Sequence, residues 1–206
     1  VALHGYGGSH LTTLADLAPS SAVALRGPGG RPLPPMALVT VDGGNGYWNP
    51  HPGDDPMGML VNELIPLCQR LGLGRPPHRT GVMGISMGGY GALLLGEKHP
   101  ALVSAVAAIS PAIWTSYDQA RGANAGAYAS AAAFTANDVV THAHSLSGMP
   151  VRVAAGSGDP FYPGVLALAA ALPRGAVVSL GKGCHDDAFF ASQELASLEF
   201  LGQHVA

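Results

Sequence analysis

In Gly84-Ile85-Ser86-Met87-Gly88, two glycines flank a serine between a short apolar run (80–85) and a helix-like segment (87–98). A serine hydroxyl exposed on a sharp turn between strand and helix needs both crossing backbones to come close. Gly84 and Gly88 reduce the crowding there, and Gly89 and Gly91 let the helix lie near its sheet. This pattern restricts the chain to architectures in which a strand feeds directly into a helix packed on the same sheet.

The rest of the chain repeats that alternation. Strand-like runs are expected at 1–3, 37–41, 80–85, 103–109, 151–155 and 176–180. The run 103–109 is apolar on both alternations, as a strand covered on both faces should be. Between them, Leu11, Leu14, Leu17 and Ala18 recur at helical spacing. Met57, Leu60, Val61, Leu64, Leu67 and Leu71 form one stripe on a second helix, which Pro66 is expected to bend. An Ala-Leu run at 165–172 follows, and Phe190, Leu195, Leu198, Leu201 and Val205 suit a closing amphipathic helix. Segment 26–35, crowded with Gly and Pro, is expected to be loop. Segment 111–148, rich in Ala, Ser and Asn, carries Trp114, Tyr117, Tyr128 and Phe134. It reads as a small helical excursion, either bordering a substrate or packing quietly. Strands alternating with helices predict an α/β fold with a mainly parallel sheet flanked by helices.

The 206 residues fit one domain, 1–206, and 48 % hydrophobic content supplies a sizeable core. The 29 Gly and 17 Pro are spread among apolar runs, which excludes a collagen-like or disordered chain. With 10 basic and 13 acidic residues the net charge is −3, and no basic cluster offers a nucleic-acid footprint. No stretch reaches the roughly 18 consecutive apolar residues of a transmembrane segment. Cys68 and Cys184 lack partners at zinc-site spacing, so no metal is expected; free thiols or a mutual disulfide both remain open.

Two further residues could activate Ser86. His185 lies in Gly181-Lys182-Gly183-Cys184-His185-Asp186-Asp187, just beyond the last expected strand. Loops at the carboxyl ends of the strands are where open α/β sheets bind ligands, so the imidazole could take the serine proton there. Asp159, after Gly156-Ser157-Gly158, is the first choice for fixing the imidazole tautomer. Asp138 is a weaker alternative, and Asp186 and Asp187 lie too near His185, although one could cap the last helix. His99, His142 and His144 lack a strand-end context, and His51 and His78 sit in proline-rich loops. The backbone N–H groups of Met87 and Tyr6 are candidate donors to an oxyanion. Asp42, Asn45, Tyr47 and Trp48 follow the second strand and could line a pocket wall, hold the serine loop or simply form a turn. Trp48 and Trp114 are candidate substrate contacts, with a core role equally economical. The order Ser86, Asp159, His185 suits acyl transfer through a covalent serine intermediate on a small or medium ester. A non-catalytic binding protein would share the scaffold without needing these side chains in contact.

The matching features run over essentially the whole chain: Leu3-His4-Gly5, Val41-Asp42-Gly43-Gly44, Gly84 through Ala92, Gly156 to Asp159 and Gly183-Cys184-His185-Asp186. They resemble the esterase D-like branch of the α/β-hydrolases, which also includes antigen 85 mycolyltransferases and S-formylglutathione hydrolases. The resemblance implies Ser86 as nucleophile, His185 as base, Asp159 as acid, and the Met87 and Tyr6 amides as oxyanion donors. It implies a carboxylic-ester hydrolase that uses no metal or organic cofactor, with acyl transfer or thioester hydrolysis as alternatives. It also favours a secreted or cell-envelope location, and implies that edge strands usually preceding Val1-Ala2-Leu3 are missing. Antigen 85-like transferases generally carry Glu at the acid position, where this chain has Asp159.

Overall fold

The computed structural model describes residues 1–205 apart from 25, 28–32 and 75–78. The expected loop at 26–35 lies partly, and His78 wholly, outside the described residues.

Among the described residues, six parallel strands form one sheet in the order β2-β1-β3-β4-β5-β6. They are β1 (Ala2–Leu3), β2 (Thr40–Val41), β3 (Thr80–Ile85), β4 (Val103–Ile109), β5 (Val151–Gly156) and β6 (Val177–Gly181). All seven residues of β4 are buried, as its unbroken apolar run requires of a central parallel strand. β6 is an edge, and Val177, Val178 and Leu180 are exposed on it. β2 is shorter than the expected 37–41.

The intervening helices are α1 (His10–Ala24), α2 (Pro56–Met59), α3 (Ile65–Arg70), α4 (Met87–Lys98), α5 (Tyr117–Ala123), α6 (Ala131–Ala136), α7 (Tyr162–Ala171) and α8 (Asp187–Gly202). One core, with Trp48, Tyr90 and Leu93, lies between the sheet and α4. The other joins Leu17 of α1 and Leu198 and Leu201 of α8 to Met83 and Ile109. The result is a single-domain α/β-hydrolase architecture with helices on both faces of the sheet. Segment 111–148 holds α5, α6 and a 3-10 turn (Ala143–Leu146). It is pinned beside α4 where the Tyr90 hydroxyl donates to the Asn137 carbonyl at 2.7 Å.

Two helical stripes differ from expectation. In α1 the buried residues are Thr13, Leu17 and Ala24, whereas Leu11 and Leu14 face outward. Thr13 and Leu17 are one turn apart, and the sheet-facing stripe runs through them while Leu11 lies on the far side. Between α2 and α3 a π turn (Leu60–Leu64) closes with the Ile65 N–H on the Leu60 carbonyl. Pro66, whose ring cannot coexist with a normal i−4 carbonyl, follows it directly. The extra residue rotates the buried face, so Ile65 and Cys68 are covered while Leu67 and Leu71 are exposed.

The chain leaves β1 toward β2, then returns to β3 on the other side and proceeds toward β6. The loops after β1 and β3 therefore diverge from adjacent strands and open a crevice at the carboxyl edge of the sheet. Leu3-His4-Gly5 and Ile85-Ser86-Met87 both emerge there.

Candidate active site

Ser86 adopts φ 57 and ψ −119, a backbone state that non-glycine residues occupy only under strain. Three hydrogen bonds hold it there. Its N–H donates to the Ile109 carbonyl at 2.9 Å, and its carbonyl accepts from Tyr90 and Ala112, each at 3.0 Å. A methyl group on Gly84 would collide with the Gly88 carbonyl, and one on Gly88 with the Leu3 carbonyl. The glycines flanking the serine are thus demanded by close approach of β3, α4 and β1.

His185 and Asp159 reach the serine from the far half of the sheet. The backbones of their two loops are locked together, Ser157 N–H to the Gly181 carbonyl at 2.7 Å and Gly158 N–H to the Gly183 carbonyl at 2.8 Å. His185 Nε2 lies 2.8 Å from Ser86 Oγ, and its Nδ1 lies 2.8 Å from Asp159 Oδ2. The Asp159 side chain is fully buried, while the His185 ring keeps partial access to solvent. The other Asp159 oxygen accepts the Phe161 N–H at 2.8 Å, so both oxygens are engaged and the carboxylate cannot swing away. Phe161 and Phe190 flank the imidazole, with ring centroids 5.1 and 5.0 Å away.

Asp186 and Asp187 stand outside this line. Asp186 caps α8 by accepting the Phe189 N–H at 2.9 Å, and Asp187 opens that helix. Asp138 bonds locally to Val140 and Thr141. Met87 is the first residue of α4, where a backbone N–H has no partner within the helix. The Gly5-Tyr6 loop runs beside Ser86: a methyl on Gly5 would sit 3.5 Å from Ser86 Cβ.

The loop after β2 braces this β1 loop. Asn45 Oδ1 accepts the Gly7 N–H at 2.7 Å, and Asp42 accepts the His10 N–H at 2.7 Å while pairing with its ring. Those hydrogen bonds from His10 hold the exposed Asp42 carboxyl below its ordinary pKa. His10 was not singled out in the sequence, although its place at the start of α1 is where a capping carboxylate acts.

A cleft of about 820 Å³ opens over Ser86 and His185, walled by Tyr6, Tyr47, Trp114 and Phe161. Trp114 therefore borders the cleft. Trp48 does not: it is fully buried beneath, its ring filling the space beside Gly43 and Gly91, and it donates to the His4 carbonyl at 3.3 Å. Its neighbour Tyr47 takes the wall position, with its hydroxyl accepting the Trp114 indole N–H at 2.8 Å. Burial pushes the Tyr47 phenol up to about 12, so it stays protonated at neutral pH. Phe161 was not singled out from the sequence.

Among the described residues, no group of three or more His, Cys, Asp and Glu side chains is arranged to hold a metal. Cys68 is buried and Cys184 exposed, and both are free thiols. No described helix is long and apolar enough to cross a membrane.

A strained serine at a strand-to-helix turn over a parallel sheet defines an esterase-like α/β-hydrolase fold. The family described as "Putative esterase" matches residues 37–174, more than half of the chain, and the chain belongs to that family. No curated protein sequence matches it. Among solved structures, it is similar to a ferulic acid esterase with TM-score 0.80 and 21 % identity, over 100 % of this chain and 84 % of the other. A fluorophosphonate-binding serine hydrolase of Staphylococcus aureus gives TM-score 0.75 at 15 % identity, over 98 % and 82 %. An S-formylglutathione hydrolase from Agrobacterium tumefaciens gives 0.70 at 17 %, over 100 % and 83 %. At these identities the likeness speaks for the fold.

Proposed function

We propose that this chain is a serine carboxylesterase acting on small or medium esters through an acyl-enzyme. The observation that carries this reading is the unbroken line of contacts Ser86 Oγ, His185 Nε2, His185 Nδ1, Asp159 Oδ2, anchored on a strained serine. Ser86 Oγ attacks the ester carbonyl carbon and gives its proton to His185 Nε2. Asp159 holds the ring in the tautomer whose Nδ1 carries hydrogen, and stabilises the imidazolium that forms. The negative oxygen of the tetrahedral intermediate accepts from the Met87 and Tyr6 N–H groups. Its collapse breaks the bond to the alcohol, which leaves with the His185 proton. Water then attacks the acyl carbon, its proton passes through His185 to Ser86 Oγ, and the free acid departs.

The cleft lining favours this over the thioester reading. Asp16, Asp187 and Glu194 border it, and no Lys or Arg is among the described residues that form its wall. The carboxylates of an anionic glutathione thioester would face these three acidic side chains without a described Lys or Arg to pair with. The aromatic wall of Tyr47, Trp114 and Phe161, with the fold shared with a ferulic acid esterase, makes aromatic acyl esters the first group to try. Acyl transfer uses the same side chains and differs in the acceptor.

The test is trapping with a p-nitrophenyl ester followed by product analysis with added alcohols. A burst of nitrophenol, an acyl adduct on Ser86 and free acid as the product support the reading. No adduct and no turnover over a panel of acyl and alcohol sizes contradicts it, and transfer to the alcohol in preference to water assigns a transferase.

A further inference from the structure

His4 is 3 % exposed, and both of its ring nitrogens are committed. The Gly43 N–H points at His4 Nε2 at 3.0 Å. An amide N–H can only donate, so Nε2 is the bare nitrogen and the ring proton sits on Nδ1. That Nδ1–H donates to the Gly5 carbonyl at 2.7 Å. The ring is immobilised by Trp48, whose centroid is 5.1 Å away and whose indole N–H reaches the His4 carbonyl at 3.3 Å.

The Gly5 carbonyl belongs to the same peptide unit as the Tyr6 N–H. A trans peptide is planar, with its C=O and N–H pointing opposite ways. Fixing the oxygen against the His4 ring therefore fixes the direction of the N–H. The Gly8 N–H also donates to the Gly5 oxygen, at 3.1 Å, so the ring supplies the shorter of two hydrogen bonds to that oxygen. Without the ring's shorter bond the Gly5–Tyr6 peptide is held less firmly, because Gly5 has no Cβ to restrict its φ and ψ.

We propose that His4 is a positioning residue for the oxyanion site. Held by Gly43 in its Nδ1–H tautomer, it sets the plane of the Gly5–Tyr6 peptide and aims the Tyr6 N–H at the oxygen that becomes negative when Ser86 attacks. This rests on the esterase reading above. The Gly43 bond also makes the loop after β2 part of the device: that loop selects the tautomer, and the tautomer orients the amide.

The test compares His4→Leu with His4→Asn. The two side chains are close in shape, neither reaches Gly43, and only Asn carries an N–H that can reach the Gly5 carbonyl. With p-nitrophenyl esters, His4→Leu should lose kcat by about 30-fold or more, approaching the loss of one oxyanion donor, with KM nearly unchanged. Affinity for an aryl trifluoromethyl ketone, which forms an oxyanion adduct on serine, should fall in parallel. His4→Asn should recover most of both. Equal behaviour of the two variants, or a loss carried by KM with ketone affinity intact, overturns the proposal. Should His4→Leu not fold, His4→Asn is compared with His4→Gln, whose amide reaches the Nε2 position instead. Asn must then be the more active, and Gln equalling or exceeding it overturns the proposal. Activity surviving Ser86→Ala would instead remove the esterase reading itself.

Discussion

Gly156, at the end of β5, lies in backbone-to-backbone contact with Gly183, two residues before His185. A methyl group on Gly156 would collide with the Gly183 carbonyl group. The loops that carry Asp159 and His185 are thus held by this glycine contact together with the two backbone hydrogen bonds that join them. Gly156→Ala should push them apart, lowering stability by about 1–3 kcal/mol as overpacking does. It should also lower kcat more than KM, because the His185 ring moves from Ser86. Thermal melts and ester kinetics on the same preparation check both effects.

Asp159→Asn keeps an oxygen for the Phe161 N–H but can turn an amide N–H toward His185. The imidazole then favours the tautomer with its proton on the serine side. The expected result is a kcat loss of roughly 10³–10⁴, with little change in melting temperature. A loss below about tenfold would transfer the orienting role to another carboxylate.

The lining of the cleft makes a prediction about charge. Neutral esters should be turned over with higher kcat/KM than anionic esters of matched size, and than S-acylglutathiones. Asp16→Asn should narrow the gap. The gap should also shrink with added salt, which screens the repulsion between the anionic ester and these carboxylates.

Glu97 lies on α4, away from the cleft, with both carboxylate oxygens buried and without a hydrogen-bond partner among the described residues. Burial pushes its carboxyl up from 4.5 to about 8. The folded protein therefore holds a proton that the unfolded chain releases. Stability is greatest below about 4.5 from this group, declines as pH rises, and levels off above about 8. Glu97→Gln should flatten that decline, and at pH above 8 it should melt higher than the wild type. Each kcal/mol corresponds to about 2–4 °C at this length.

Much of the site was legible because its pieces are local. Gly84 and Gly88 announce a crowded turn, and Asp159 and His185 each follow a readable strand. The element alternation gave the sheet for the same reason. What escaped depends on which face meets which neighbour. Leu11 and Leu14 repeat at helical spacing, but the sheet takes the stripe through Thr13 and Leu17 instead. The π turn before Pro66 changes the phase of a helix whose apolar pattern looks regular. Trp48 and Tyr47 are adjacent, and only the folded loop decides that the indole goes under the floor while the phenol forms the wall. The His4 ring reads as a motif letter until Gly43, distant in sequence, supplies its hydrogen bond.

The most direct test of the central claim is intact-mass and peptide analysis after treatment with a fluorophosphonate. The expected result is one adduct per chain, located on Ser86, formed at a rate that His185→Ala reduces by at least about a hundredfold while the variant stays folded. Labelling at another residue, or equal labelling of Ser86 with and without the imidazole, would contradict the account.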